Sequence, residues 1–214
     1  QEGTGTALAD TGGFGPSITV GGTTAGIWAN GGCLTHHSAG NTIRLQNLQY
    51  ADALTNMQVD GAILIGMDIY MTAWPTTTET MWGLHRADTT AGGVRMVLPS
   101  ASVGRFGLYY RPNGSGESEV VGGAPSTYLN RWVSLLTELR VLASSSELQM
   151  NMWIDGQMFR SRRAYALGTP PPADASGGLV FSGYGSGPNQ MLGSGGSGAR
   201  TRDVFAFRHS GVDR

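Results

Sequence analysis

The segment from 61 to 74, GAILIGMDIYMTAW, places Ile63, Ile65, Met67, Ile69 and Met71 at every second position. A helix would ask for spacings of three and four, whereas a strand turns successive side chains to opposite faces, so this stretch reads as one long strand with a single buried face. The same period recurs. In RFGLYYR, Phe106, Leu108 and Tyr110 share a face; in WVSLLTELRVL, Val133, Leu135, Thr137, Leu139 and Val141 do. In ELQMNMWID the shared face is Leu148, Met150, Met152 and Ile154. Shorter strands are expected at 17–20, 42–45, 80–86, 93–98, 178–182 and 204–208. No long amphipathic helix competes with them; 132–142 is the nearest rival, and its alternation favours a strand.

Between these segments lies turn chemistry. The 34 glycines are spread along the chain with no fixed repeat, as many tight turns between short strands require. Asp155-Gly156 suits the positive φ values of a two-residue type I′ hairpin. Pro112-Asn113-Gly114 marks another turn, and Pro170, Pro171 and Pro172 mark a surface connection, because consecutive prolines cannot serve a sheet interior. The expectation is an all-β protein: one antiparallel two-sheet sandwich over residues 1–214, with 1–16 as an extended N-terminal arm and 193–199 as a Gly/Ser-rich loop before the closing strand.

The Trp132-Val133 strand is followed some twenty residues later by Trp153-Ile154-Asp155-Gly156-Gln157. With the long strand before it and the late RDVFAFR segment from 202 to 208, this pattern resembles the laminin G and concanavalin A-like lectin superfamily. The resemblance implies a concanavalin A-like jelly roll, with 202–208 as its closing strand. It covers roughly 17–208 as a succession of strands, and residue-level support lies in the middle third.

Composition removes several function classes. The formal charge is −1 and charged residues are 14%, so there is no electrostatic footprint for nucleic acid or an anionic membrane. No apolar run approaches the roughly 20 residues that a spanning helix needs, and no membrane insertion is expected. All 14 basic residues are arginine. Cys33 is the single cysteine, so the chain forms no internal disulfide and no cysteine-based zinc site; it reads as a small buried filler.

The second face of each strand carries the chemistry. Opposite the apolar faces lie Asp68 and Tyr70; Tyr109 and Arg111; Gln149, Asn151 and Trp153; and, by the same alternation, His85 and Arg95. Aromatic rings cover the apolar C–H faces of sugars, while amides and charges bond their hydroxyls, so these nine residues form the candidate ligand-binding surface. The alternative is a solvated face, or one buried against another subunit.

Catalysis finds less support. Retaining glycoside hydrolysis needs two carboxylates about 5 Å apart, and no strand here carries such a set. Glu117 and Glu119 come nearest, but within NGSGESE they read as a solvated turn. Thr137-Glu138-Leu139-Arg140 resembles part of the arginine-bearing strand of jelly-roll alginate lyases; the family's glutamine-x-histidine strand is absent, and its lysine-bearing strand cannot exist without lysine. Glu138 and Arg140 are instead expected as an exposed same-face pair. His36-His37 reads as a polar turn. Calcium would suit loop residues such as Asp10, Asn30, Asn41, Asp52, Asp60 and Asp88, but these show no ligand spacing, and no metal or other cofactor is assigned.

The sequence reading is therefore a non-enzymatic lectin-like module. The missing disulfides, the missing lysine and the Thr/Gly/Ser-rich connections place it on a virion surface, as a bacteriophage decoration or tail-adhesion protein. Its expected partners are other virion subunits or further copies of itself, and cell-surface glycans. A secreted bacterial lectin or adhesin is the alternative, followed by a polysaccharide lyase or glycoside hydrolase.

Overall fold

The computed structural model describes residues 18–21, 28–29, 33–35, 42–45, 62–85, 93–99, 105–111, 117–121, 125–142, 147–166, 178–181, 192–193 and 195–209. Side chains are described over 62–84, 94–99, 105–109, 127–140, 148–159 and 192–206, residue 194 aside. Cys33 holds a strand position, but its side chain lies outside this set. Also outside the described residues lie the N-terminal arm, His36 and His37, the three prolines at 170–172, and all six loop residues considered for calcium.

The strands are β1 (Ile18–Gly21), β2 (Trp28–Ala29), β3 (Cys33–Thr35), β4 (Thr42–Leu45), β5 (Ala62–Tyr70), β6 (Glu79–His85) and β7 (Gly93–Leu98). After them come β8 (Phe106–Arg111), β9 (Glu117–Val121), β10 (Trp132–Leu142), β11 (Glu147–Ile154), β12 (Gln157–Ala166), β13 (Gly178–Phe181) and β14 (Arg200–His209). A 3-10 turn, Pro125–Tyr128, precedes β10. The strands form two seven-stranded sheets: sheet I in the order β1-β4-β13-β6-β7-β8-β9, and sheet II in the order β12-β11-β10-β5-β14-β3-β2. All described pairings are antiparallel.

Alternation explains why the sheets stack. Ile63, Ile65, Met67 and Ile69 of β5, Val133, Leu135 and Leu139 of β10, and Leu148, Met150, Met152 and Ile154 of β11 are all buried. Val94, Met96 and Leu98 of β7 and Phe106 and Leu108 of β8 meet them from sheet I, in one continuous core. Thr137, the one polar residue on the inner face of β10, donates from Oγ1 to the Met96 sulfur at 3.7 Å, a contact that joins the two sheets directly. Phe106 packs edge-on against both Trp74 (5.6 Å) and Tyr128 (5.3 Å), closing the core where the chain passes between sheets.

Three expectations change in detail. The long strand ends at Tyr70 rather than running to 74. Met71 still reaches the core, but residues beyond it leave the sheet to cross to β6. Glu117 and Glu119 begin β9, an edge strand paired to β8 through Tyr110↔Glu117 and Leu108↔Glu119, and are not in a turn. The closing strand, expected at 202–208, runs from Arg200 to His209 and lies inside sheet II, between β5 and β3.

The Gly/Ser-rich loop is built around a carboxylate that sequence reasoning missed. Glu79, fully buried, accepts hydrogen bonds from the amides of Gly193 (2.7 Å) and Gly195 (2.6 Å) and from the Ser197 hydroxyl (2.6 Å), with a longer contact from the Ser197 amide (3.4 Å). From the other side the Thr72 and Ala73 amides donate to the Ser197 carbonyl, and the Thr76 amide donates to that of Gly195. Gly195 must be glycine, since a Cβ there would lie 2.7 Å from the Thr77 carbonyl oxygen. This loop is thereby fixed to the start of β6, and it delivers the chain into β14.

Candidate functional site: the outer face of sheet II

Sheet alternation states which side of a strand meets the core, but not which sheet the strand joins. The nine predicted site residues divide accordingly. Asp68 and Tyr70 lie on β5, and Gln149, Asn151 and Trp153 on β11, both in sheet II; His85, Arg95, Tyr109 and Arg111 lie on β6, β7 and β8, in sheet I. Since the two inner faces pack on each other, the two outer faces point in opposite directions. The expected single surface is thus two surfaces, one on each side of the molecule.

On sheet I, Arg95 pairs with Tyr109 across β7 and β8, and its guanidinium lies 5.3 Å from the Tyr109 ring. The side chains of His85 and Arg111 lie outside the described set. Val97, between the core residues Met96 and Leu98, is itself fully buried, as is its partner Thr80. The outer side of sheet I is covered at this point.

Sheet II is different. Registers place Gly66 of β5, Leu136 of β10, Trp153 of β11 and Met158 of β12 in one row across four strands, with Phe205 of β14 opposite Gly66. Leu136 and Trp153 are half-buried, while Phe205 and Met158 are the exposed large hydrophobic residues among those described. The outer edge of the Phe205 ring lies against Gly66, where a Cβ would run into it, so the glycine makes room for the ring. A bulge between Arg202 and Phe205, with Asp203 at φ 49°, brings the ring to that position.

One side of this apolar row is charged. Asp68 accepts from the Ser134 hydroxyl at 2.5 Å and from Arg202 Nε at 3.0 Å. Arg202 also lies 4.2 Å over the Trp132 ring, Trp132 packs against Tyr70 at 5.7 Å, and Arg200 approaches Tyr70 at 5.6 Å. These contacts hold aromatic planes and charged groups in fixed positions on a face where Ser134 is exposed.

On the other side stand Glu138, Arg140 and Asn151. The expected exposed pair is not exposed: Glu138 is 9% accessible and accepts from Asn151 Nδ2 at 2.6 Å and from Arg140 at 3.2 Å. Asn151, 7% accessible, is occupied in holding that carboxylate. Its Oδ1 and Arg140 Nε meet no hydrogen-bond partner among the described residues, and both atoms are inaccessible. Of the predicted residues, Asn151 is thus a support, Gln149 is half-buried beside Arg140, and Asp68, Tyr70 and Trp153 line the open part. Trp132, Ser134, Leu136, Arg202 and Phe205 join them. The alternation of β10 could have supplied Trp132, Ser134 and Leu136; the bulge that turns Phe205 outward had no sequence signal.

The Asp155-Gly156 turn stands at one end of the row. Asp155 (φ 50°) and Gly156 (φ 75°) form the two-residue hairpin expected from the sequence. Burial raises the Asp155 pKa, but the hydrogen bonds from Arg131 (2.7 Å) and the Ser134 amide (3.0 Å) outweigh it and hold the carboxyl below its ordinary value. Asp155 is a structural residue that ties the hairpin to β10.

With this geometry, the comparisons with solved structures can be placed. The chain superposes on the botulinum neurotoxin type C1 binding domain over 94% of its length (TM-score 0.63, 14% identity) and on mouse laminin α1 domains LG4-5 over 96% (TM-score 0.52, 14% identity). The fold is a lectin-like jelly roll. It spans 46% of each of those two chains, about half their length. The alginate lyase Aly36B is similar over 85% of this chain and 80% of its own (TM-score 0.52, 10% identity). No family model and no curated protein sequence matches the chain. Among the described residues no group of three or more metal-binding side chains comes together, and no helix is long and apolar enough to cross a membrane, a statement that does not extend to strands.

Proposed function

We propose that the protein is a non-enzymatic carbohydrate-binding module and that the outer face of sheet II is its binding surface. The observation that carries this reading is the row Phe205–Leu136–Trp153, apolar side chains in register on the outer face of sheet II, bordered by the polar groups Asp68, Ser134 and Arg202. Sugar rings stack their C–H faces on such a row and present equatorial hydroxyls to its rim. One of the similar structures concerns a toxin whose uptake into cells depends on interaction with two ganglioside molecules, which supports a glycan ligand for a fold of this kind. The toxin neighbour supports the glycan part of the sequence reading, and none of these neighbours supports the virion placement.

The likeness to an alginate lyase, together with Thr137–Arg140, favours one competing reading. Elimination on a uronate requires a group that removes the C5 proton near the arginine that neutralises the carboxylate. Beside Arg140 the nearest candidate base is Glu138, a buried carboxylate that already accepts hydrogen bonds from Arg140 and Asn151, which favours a supporting role over proton abstraction.

The test is a glycan array followed by calorimetry on the strongest hit. Trp153→Ala is expected to weaken binding at least about tenfold, the equivalent of roughly 1.4 kcal/mol, in protein that stays folded with a melting temperature lowered by no more than the loss of a half-buried ring explains. An array without hits, or binding unaltered in Trp153→Ala, would remove the carbohydrate reading. Ultraviolet-absorbing unsaturated ends released from uronate polymers would show a lyase instead.

A further inference from the structure

Among the described residues, β9 and β12 each pair with one neighbouring strand only. Glu79 at the start of β6 is bonded to the loop that leads into β14, and Thr137 of β10 touches Met96 of β7. β7 therefore lies over β10, with β6 on the side of β5 and β14. Counting outward, sheet I ends in β9 and sheet II in β12, side by side at one edge of the sandwich. β6 and β14 also start at the same end of the molecule. Following the antiparallel steps from each, β9 runs opposite to β12.

These edges have complementary charge. β9 is ESEVV, with Glu117 and Glu119; β12 is QMFRSRRAYA, with Arg160, Arg162 and Arg163. The spacing matches as well. Glu119 is in register with Leu108, and Glu117 with the same parity; Arg160 and Arg162 are in register with Met152 and Met150. All four occupy core-side register positions, two residues apart on each strand. The opposite flank ends in β1 (ITVG) and the two-residue β2, and carries no such charge.

We infer that this flank is a dimer interface, in which β9 of one copy pairs antiparallel with β12 of a second copy and the reverse pairing forms at the same time. A two-fold axis parallel to the strands exchanges the upper and lower sheets, so β9 meets β12 of the second copy at the same level. It preserves strand direction, so the two strands, which are antiparallel within one copy, are antiparallel between copies too. It also keeps core-side positions on one face, where Glu117 can stand opposite Arg162 and Glu119 opposite Arg160 of the other copy. Pairing of β9 with β9, or of β12 with β12, would set like charges against each other, so the flank admits only the mixed arrangement. The interface is isologous and closed, which gives dimers and not fibres.

Sedimentation velocity across a concentration series should find a dimer that weakens as salt is raised. Glu117→Arg with Glu119→Arg should weaken dimerisation at least about 30-fold, since attraction becomes repulsion at four cross-strand pairs. Adding Arg160→Glu and Arg162→Glu in the same chain should restore it. A monomeric wild type, or a dimer indifferent to the reversal, would overturn the proposal. If the reversed chains fail to fold, hydrogen exchange on the wild type decides: amides of 117–121 and 157–166 should gain protection with concentration, and concentration-independent exchange would equally overturn it. Charges that merely bridge the two edges within one copy would change the melting temperature without changing sedimentation.

Discussion

At the scale of single residues, Glu79 joins two distant parts of the chain. Its carboxylate satisfies two glycine amides and a serine hydroxyl that would otherwise be buried without partners. Removing it leaves those donors unsatisfied, at about 1–3 kcal/mol each before relaxation. Glu79→Ala is expected to cost about 3–5 kcal/mol in urea unfolding, and Glu79→Gln about 2 kcal/mol, because the amide keeps one acceptor. Asp155 is expected to behave differently. The Arg131–Asp155 pair is 41% and 38% exposed, so Asp155→Asn, which keeps an acceptor for the Ser134 amide and tolerates positive φ, should cost below about 1 kcal/mol. Asp155→Val should cost about 1–2 kcal/mol more, from the left-handed backbone. Because the folded pKa of Asp155 is lowered, its contribution is complete above the unfolded value and is lost as pH falls through the folded one. The urea midpoints of wild type and Asp155→Asn should therefore differ at neutral pH and converge as pH is lowered.

At the scale of elements, β14 shows both what the sequence could reveal and what it could not. Period two identified β5, β8, β10 and β11 and their buried faces, since alternation is a local property. It gives no information on which sheet each strand joins, so it cannot separate Tyr109 and Arg95 from Trp153, which lies in the other sheet across the core. Glu79 escaped notice for the same reason: its partners lie 114 to 118 positions away, and within TTTETM it looks like any polar turn residue. Glu138 looked exposed because its cover, Asn151, comes from a neighbouring strand. The bulge at Arg202–Phe205 is likewise set by tertiary pairing. Phe205→Ala should remove about 1–2 kcal/mol of stability, as expected for a ring that remains partly in water, and should also reduce glycan affinity. Gly66→Ala displaces the ring without deleting it, so it should weaken binding more than it lowers the melting temperature.

At the scale of the whole molecule, the binding face and the dimer flank are perpendicular to each other, and the two-fold axis turns the outer faces of the two copies to opposite sides. The dimer thus presents two saccharide platforms back to back. Beads coated with a recognised glycan should be cross-linked by the wild type, whereas Glu117→Arg with Glu119→Arg should bind them singly and leave them dispersed. The charge of −1 leaves little long-range steering, so association with a neutral glycan should vary little with salt even while dimerisation does.

The position of β14 also sets an order in time. Sheet II is continuous only when residues 200–209 lie between β5 and β3, and the loop that places them closes on Glu79, far earlier in the chain. A nascent chain that ends before this segment has β5 with a bare edge and a buried carboxylate with no donors. Such a chain has every reason to wait. Folding is expected to be slow and to conclude with the insertion of a central strand, and a ribosome-bound chain lacking residues 192–209 should remain protease-sensitive although most of its core residues have already been made.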